Sequence, residues 1–504
     1  MEGRFGGGQT GRALHNVLDY GAVNDGQTQC AEAIARTIEA CACAGGGTVC
    51  FPGGAYLTGS IHLRSNITLF IDAGARLLYS PDPHDSPLVE SRIGGTRGYV
   101  HSPLIYGNDL ENIAVVGRGT IDGQGGKGWW RRSRKKKVEE RKVYDSWGGL
   151  RDRAEAGEAP AKEEFAEAAQ YLRPSLVHPY NCKNVLIEGV TLMNSPHWTI
   201  HPAFCEDVTI RNIIVESPDD SPNTDGIAVD SCRNVRISDC RISTGDDCIV
   251  LKSGRDADGR RVGRPTENVA IVNCTLLRGH GGVVIGSEMS GGVRNVVASN
   301  IVCKGTVRGI RIKSERGRGG VVENIRYSNW VIENAREAIN ITNFYHETPE
   351  EPVSERTPVF RQIAASHVTV ANCREAAHIR GLPESPIEGL RFSDVAAITG
   401  AGFKCVNVAG LDLRNIQVDA AGGPALDLAH CRDVAIEGFK TRQPHEDAPA
   451  ISLNEVERAF IHGCVAAPGA NVFLRLSGEK TREIVLGDNN LSAARQAVDE
   501  APRS

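Results

Sequence analysis

One phrase recurs along this chain and leaves it few folds. It is a polar residue, then Val or Ile, then residues of alternating character, then a second short apolar run. It stands at Asn66-Ile67, Asn112-Ile113, Asn184-Val185, Asp207-Val208, Asn234-Val235 and Asn268-Val269. It returns at Asn295-Val296, Asn324-Ile325, Gln362-Ile363, Asn415-Ile416, Asp433-Val434 and Glu483-Ile484. From Asn184 to Gln362 successive copies lie 23 to 38 residues apart, an interval that suits one coil of a solenoid with loops of varying length. A βαβ unit with a full helix does not fit in so short a span, and the Leu-x-x-Leu-x-Leu phrase of leucine-rich repeats is missing. The alternation after Asn184 is strand-like. The expected fold is therefore all-β: a single-stranded right-handed parallel β-helix, its hand following that of parallel crossovers. Its strands should stack about 4.8 Å apart from coil to coil. Val, Ile and Cys fill the inside, and Asn occupies turns where left-handed backbone is tolerated. Beyond Gln362 the copies are fainter and their spacing less regular.

A solenoid is one long domain, so residues 1–504 read as a single unit rather than the two to four domains their length suggests. Hydrophobic residues make up 40% and aromatic residues only 5%, with 56 glycines, which matches an aliphatic core and many tight turns. The open end of a β-helix exposes strand edges. A cap over about 1–60 answers this, with a short helix in Gln27–Ala44. There Ile34, Ile38 and Cys41 fall at i, i+4 and i+7, and Gly45-Gly46-Gly47 ends the segment. Between about 125 and 172 the repeat lapses. Trp129-Trp130-Arg131-Arg132 and Arg134-Lys135-Lys136-Lys137 open a charged, helical insertion, either a solvated surface helix or a rim over a site. The 15 cysteines are odd in number and include no tight CxxC pair, so they read as small buried side chains rather than disulfides or zinc ligands. A net charge of -5 points away from nucleic acid, and no apolar run near 18 residues spans a membrane. The first 30 residues lack an apolar signal core, so a cytoplasmic location is expected, or secretion if the chain has been trimmed. Self-association stays open.

Four polar motifs sit about one coil apart: Asn223-Thr224-Asp225-Gly226, Gly245-Asp246-Asp247, Gly279-His280-Gly281 and Arg311-Ile312-Lys313. Three carboxylates, a histidine and two cations are what hydrolysis of an acidic sugar polymer requires: an acid, a base, and cations for the polymer's own carboxylates. Setting Ile227, Ile249, Val283 and Ile310 in one column stacks Asp225 on Asp247 and Asp246 on His280. It puts Ala228, Val250, Val284 and Arg311 in a second column, and Asp230, Lys252, Gly286 and Lys313 in a third. Asp225 and Asp247 then lie about 5 Å apart between backbones. Neighbours in extended chain face opposite ways, so Asp246 points differently from Asp247. One pair of carboxylates can grip a water while the third reaches the leaving oxygen. Like-charge repulsion should raise at least one of their pKa values and keep a proton for acid catalysis.

These residues resemble glycoside hydrolase family 28, the polygalacturonase family. The likeness runs from Tyr20-Gly21-Ala22 to Phe360-Arg361. It includes Gly46-Gly47-Thr48-Val49-Cys50-Phe51-Pro52 and Asn194-Ser195-Pro196-His197-Trp198-Thr199-Ile200-His201-Pro202. The resemblance implies hydrolysis with inversion, no metal and no other cofactor, and a galacturonate-containing oligo- or polysaccharide as partner. It makes Asp246 the general acid, Asp225 and Asp247 the pair activating water, and His280 the histidine beside the acid. Arg311, Lys313 and Tyr345 then contact substrate, with Asn223, Lys252, Trp198 and His201 as further substrate-binding candidates. An inverting site is expected to separate its acid and base by about 6.5–9.5 Å.

Gly245-Asp246-Asp247-Cys248, Gly286-Ser287-Glu288-Met289-Ser290-Gly291-Gly292 and Arg316-Gly317-Arg318-Gly319-Gly320 look more like the exo-acting branch. In that branch the 125–172 insertion and the loop around 345–357 would close one end of a groove. Exo-branch relatives often carry an acidic residue where this chain has Ala228, so Arg311 is expected to lose a partner. Rhamnogalacturonan or xylogalacturonan ends are alternative substrates. A pectate lyase-type β-helix using calcium, and a non-catalytic carbohydrate-binding β-helix, are the competing classes.

Overall fold

All twelve polar residues that open the repeated phrase adopt left-handed backbone, with φ between 50° and 65°; Asn415 alone stands at the following corner, donating to Asp394, and is not a copy in register with the others. Asn tolerates that conformation better than other residues with a Cβ, and here it gains a second role. Asn112 Nδ2 donates to Asn66 Oδ1 at 2.9 Å, and Asn184 to Asn112 at 2.8 Å. Asn268, Asn295 and Asn324 continue the same hand-over from coil to coil. The turn residue therefore fixes both the corner and the stacking register.

This computed structural model describes residues 13–127, 148–158, 161–169, 172–443 and 447–500. They form a right-handed parallel β-helix with three stacked sheets. The first sheet starts at the repeated phrase, with strands such as Lys183–Glu188, Glu206–Arg211 and Arg233–Ser238. The second carries the short run that follows, such as Thr191–Met193, Ile214–Glu216 and Arg241–Ser243. The third contains Ile227–Asp230, Ile249–Lys252, Val283–Ile285, Arg308–Lys313 and Glu337–Thr342. Inward Val, Ile, Leu and Cys make one continuous core. All 15 cysteines are free thiols, and Cys182, Cys205 and Cys232 stack on successive coils as small core side chains.

The cap is a helix, Ala31–Cys43, whose buried face is Ala33, Ile34, Thr37, Ile38 and Cys41. Past Gln362 the repeat fades in the sequence but not in the backbone. Gly389, Gly410 and Arg458 take the left-handed turn there. The corners are also so open that Val359–Arg380 and Ile387–Val406 run as continuous strands of 22 and 20 residues. No helix among the described residues is long and apolar enough to cross a membrane.

Two additions cover the outer face of the third sheet. The first is an antiparallel hairpin, Leu88–Ile93 with Thr96–His101, closed by Gly94-Gly95, both at positive φ. A Gly-Gly pair between alternating runs is a hairpin signal, and the sequence reading passed over it. Arg92 anchors the hairpin through a fully buried ion pair to Asp230 at 2.8 Å. The second addition is the insertion. Trp129 to Lys137 lie outside the described residues. A helix over 148–155 and the turn of helix Phe165–Ala169 are not a free solvated surface: Leu150, Phe165 and Ala168 pack on Ile93 and Tyr99 of the hairpin.

Candidate active site

Asp225, Asp246, Asp247 and His280 stand in the turns that lead into third-sheet strands, where side chains are freed from the inward–outward alternation, whereas Lys252, Arg311 and Lys313 lie on the strands themselves. The expected register holds: Ile227 pairs with Ile249, Ile249 with Val283, and Val283 with Ile310. It continues through the turns. Gly226 N donates to Asp247 O at 2.9 Å, Cys248 N to Gly281 O at 2.8 Å, and His280 N to Asp246 O at 2.9 Å. Asp225, Asp246 and Asp247 are thereby gathered so that one oxygen of each lies within 4.8 Å of the others. Their side chains differ in access: Asp246 is 16% exposed, Asp225 4% and Asp247 1%. Asp246 is the one that reaches the surface, and the other two lie beneath it.

The three carboxylates are held unequally. Asp247 receives Lys313 Nζ at 2.8 Å and Arg311 Nη1 at 3.6 Å. Gly281 lies between them: a Cβ there would stand 3.0 Å from Asp247 Oδ1 and 3.6 Å from Arg311 Cδ. Burial pushes the Asp247 carboxyl up, but Lys313 and Arg311 outweigh it and hold the pKa below the usual value. Asp225 has its nearest cation, Lys252 Nζ, at 3.8 Å. Burial, and then the negative charge of Asp246, push Asp225 well above the ordinary carboxylate range. Asp225 therefore binds a proton more readily than an ordinary carboxylate does. Asp246 Oδ1 accepts from Asp247 N at 2.9 Å and faces His280 Nδ1 at 3.1 Å. That contact is the main reason the His280 pKa is raised. Three such carboxylates are near enough to hold a cation, yet Lys252, Lys313 and Arg311 already supply positive charge at this spot.

Tyr345 joins the site. It is 36% exposed, with Lys313 Nζ 5.1 Å and the Arg311 guanidinium 5.6 Å from its ring centre. Asn223 stands exposed on the rim, its Oδ1 accepting from Arg173 Nη2 at 2.9 Å. Three other candidates lie underneath the cleft. Trp198 is buried against Ala228, Val250 and Val284, and Lys252 Nζ sits 4.7 Å over its ring. Lys252 is itself buried, and its closest partner is Glu288 at 2.7 Å. His201 has no exposed side-chain surface and packs edge-on to Trp198, close to Asp230. Trp198 and His201 thus pack beneath the carboxylates, and Lys252 is turned toward Glu288.

Two expectations are corrected. The carboxylates stand closer than the roughly 6.5–9.5 Å expected of an inverting pair, because adjacent coils and adjacent residues supply all three. Arg311 also keeps its partner, Asp247. Ala228 does share its column, but Val250 and Val284 intervene. Three strand spacings, about 14 Å, put an acidic side chain at 228 out of reach of Arg311.

Sequence reasoning missed Glu288 and Arg173. Glu288 sits inside a phrase already singled out, but only the fold brings it against Lys252. Arg173 ties the end of the insertion to the motif turn, donating to Pro196 O at 2.8 Å and Pro222 O at 2.6 Å. On the opposite side of the third sheet, Arg261 donates to Ala154 O at 3.0 Å. The insertion is thereby tied to the turn before Ile227–Asp230 and to the segment after Ile249–Lys252.

Comparison with known proteins agrees with this arrangement. Residues 161–413 match glycosyl hydrolases family 28, and residues 14–142 match the family described as rhamnogalacturonase A/epimerase, pectate lyase-like. A probable polygalacturonase of Vitis vinifera is 33% identical over 79% of this chain and 77% of its own length. An endo-polygalacturonase of Pectobacterium carotovorum subsp. carotovorum is 32% identical over 58% of this chain and 66% of its own. Among solved structures, a hyperthermoactive exopolygalacturonase from Thermotoga maritima superposes with a TM-score of 0.70 at 37% identity, covering 78% of this chain and 90% of that one.

Proposed function

This chain belongs to glycosyl hydrolases family 28, and on that premise we propose that it hydrolyses α-1,4-linked galacturonan, releasing galacturonate from the non-reducing end. The observation that carries this is the clustered carboxylate triad with its cations on one side. Asp246, the most accessible of the three, is the general acid. Asp225 and Asp247 form the floor that orients and deprotonates water. The water oxygen bonds to the anomeric carbon, the glycosidic C–O bond breaks, and the leaving oxygen takes the proton of Asp246. The water proton passes to Asp225, whose raised proton affinity suits it as acceptor. From there it lies within reach of Asp246 for the next turnover, with His280 as an exchange partner on the cleft side. Lys313, Arg311 and Tyr345 receive a substrate carboxylate and ring.

Inversion is proposed although the spacing alone would also suit a retaining pair. A covalent route needs a carboxylate that reaches the anomeric carbon. Asp225 and Asp247 are recessed, and Asp247 is held by Lys313 and Arg311. A water above them bridges that gap. The exo reading is supported by the packing of the insertion on the hairpin beside the third sheet, and by the likeness to the Thermotoga maritima enzyme.

Products followed over time on polygalacturonate and on short oligomers test all of this. Monomer from the first minutes is expected, and an early spread of oligomers would overturn the exo reading. A product absorbing as an unsaturated uronate would mean β-elimination instead. Proton NMR of the first product should show the β-anomer; the α-anomer would mean retention.

A further inference from the structure

Lys252 and Lys313 occupy the same outward column of the third sheet, and each points its ammonium at one carboxylate of the triad. Their distances differ. Lys313 contacts Asp247 at 2.8 Å, whereas Lys252 stops 3.8 Å from Asp225. The difference has a visible cause. Glu288, from the turn after Val283–Ile285, takes Lys252 Nζ at 2.7 Å, and the Trp198 ring lies 4.7 Å from the same ammonium. Ser287 Oγ donates to the other Glu288 oxygen at 3.1 Å, which fixes the carboxylate in place. Lys313 has the Tyr345 ring 5.1 Å away but, among the described residues, no carboxylate other than Asp247 within ion-pair distance.

We propose that Glu288 is a positioning residue: by holding Lys252 it keeps that cation from closing on Asp225, and so makes the two recessed carboxylates unequal. This rests on the reading of the triad as the hydrolytic centre. Its chemical sense is that two fully ion-paired carboxylates would both be poor proton acceptors. One that is paired and one that is only partly compensated divide the work of charge stabilisation and proton uptake. The charged groups around Asp225 are Asp246, Asp247, Lys252 and Lys313. Around Glu288 they are Lys252, Arg318 and Lys313, which together overcome burial and keep Glu288 ionised.

The test is a pair of substitutions with opposite expected signs, read in the pH profile of kcat. In Glu288→Gln the freed Lys252 approaches Asp225, the proton acceptor, so the acidic limb moves down by about one pH unit. In Lys252→Met the cation is gone and that limb moves up. KM for oligogalacturonate should change little in Glu288→Gln. Shifts of the same sign in both variants, or an unmoved profile with only a lowered Tm, would overturn the proposal. Carbon-13 NMR titration of Asp-labelled protein, with Asp225→Asn to assign the signal, reads the same displacement without substrate. It therefore answers even if wild-type protein releases nothing from polygalacturonate, which would sink the proposed function instead.

Discussion

Two stretches of the third sheet share a backbone and an apolar inner face and differ on the outside. Strands Ile227–Asp230, Ile249–Lys252 and Val283–Ile285 are buried on both faces, and Arg308–Lys313 on nearly all of its length. Strands Leu426–Ala429 and Ile451–Asn454 keep the inward half buried and leave the outward half partly exposed. Inside, both stretches stack the same residue types, Ile227 on Ile249 in one and Leu426 on Ile451 in the other. Outside, the early coils bury Lys252, Arg311 and Lys313 among carboxylates, while in the late coils Lys404 is exposed and Asp427 and Arg475 are half-buried. The solenoid alone thus makes no site. Desolvation by the hairpin, the insertion and the motif turns converts ordinary charges into coupled ones, since an ion pair strengthens as water is excluded.

The sharpest way to break this comparison is to neutralise one aspartate in each stretch. Asp246→Asn should lower kcat by about 10²- to 10⁴-fold, with binding of a galacturonate oligomer preserved in calorimetry. Asp427→Asn should leave kcat unchanged. Equal losses in both would mean that burial is not what separates the two regions.

A smaller effect is expected from Lys313→Met, which leaves Asp247 buried with Arg311 alone. Removing one partner of a buried pair costs about 3–5 kcal/mol. Uronate binding should suffer far more than binding of a neutral analogue. The sign in pH is fixed by Asp247, whose pKa lies below its unfolded value. Its stabilisation is present above about pH 3.9 and is lost as pH falls through the lower folded value. In Lys313→Met the folded value rises, so the acidic limb of kcat moves to higher pH. An unmoved acidic limb would detach Lys313 from Asp247.

The mildest effect on catalysis tests the late coils. Leu453→Ala removes a fully buried core side chain and should cost about 2–5 kcal/mol of stability. Coils touch only their neighbours, so kcat at 25 °C should stay at the wild-type value. A parallel fall in kcat would show that the two regions are mechanically linked.

Much of this was legible in the chain. Asn66, Asn184 and Asn295 announce their turns because few residues tolerate left-handed backbone and bond coil to coil as well. Ile227, Ile249, Val283 and Ile310 give the register, since a slip of one residue would turn every apolar side chain outward. That register alone brings Asp225 over Asp247 and Asp246 over His280. The late coils were harder to see because Gly389, Gly410 and Arg458 stand where the Asn should be. The hairpin around Gly94-Gly95 was missed although its turn was readable.

Register is a local, periodic property, and so the sequence by itself determined the β-helix, its columns and the membership of the triad. It could not determine which cation serves which carboxylate. Lys252 and Lys313 look equivalent in the chain, and Trp198 and His201 look like sugar contacts. Only the tertiary structure closes Glu288 on Lys252, slides Trp198 and His201 beneath the floor, and parts Ala228 from Arg311. The reason is physical: proton affinities and ion pairing depend on burial and on ångström distances between side chains from separate turns, and neither is written in the spacing along one strand.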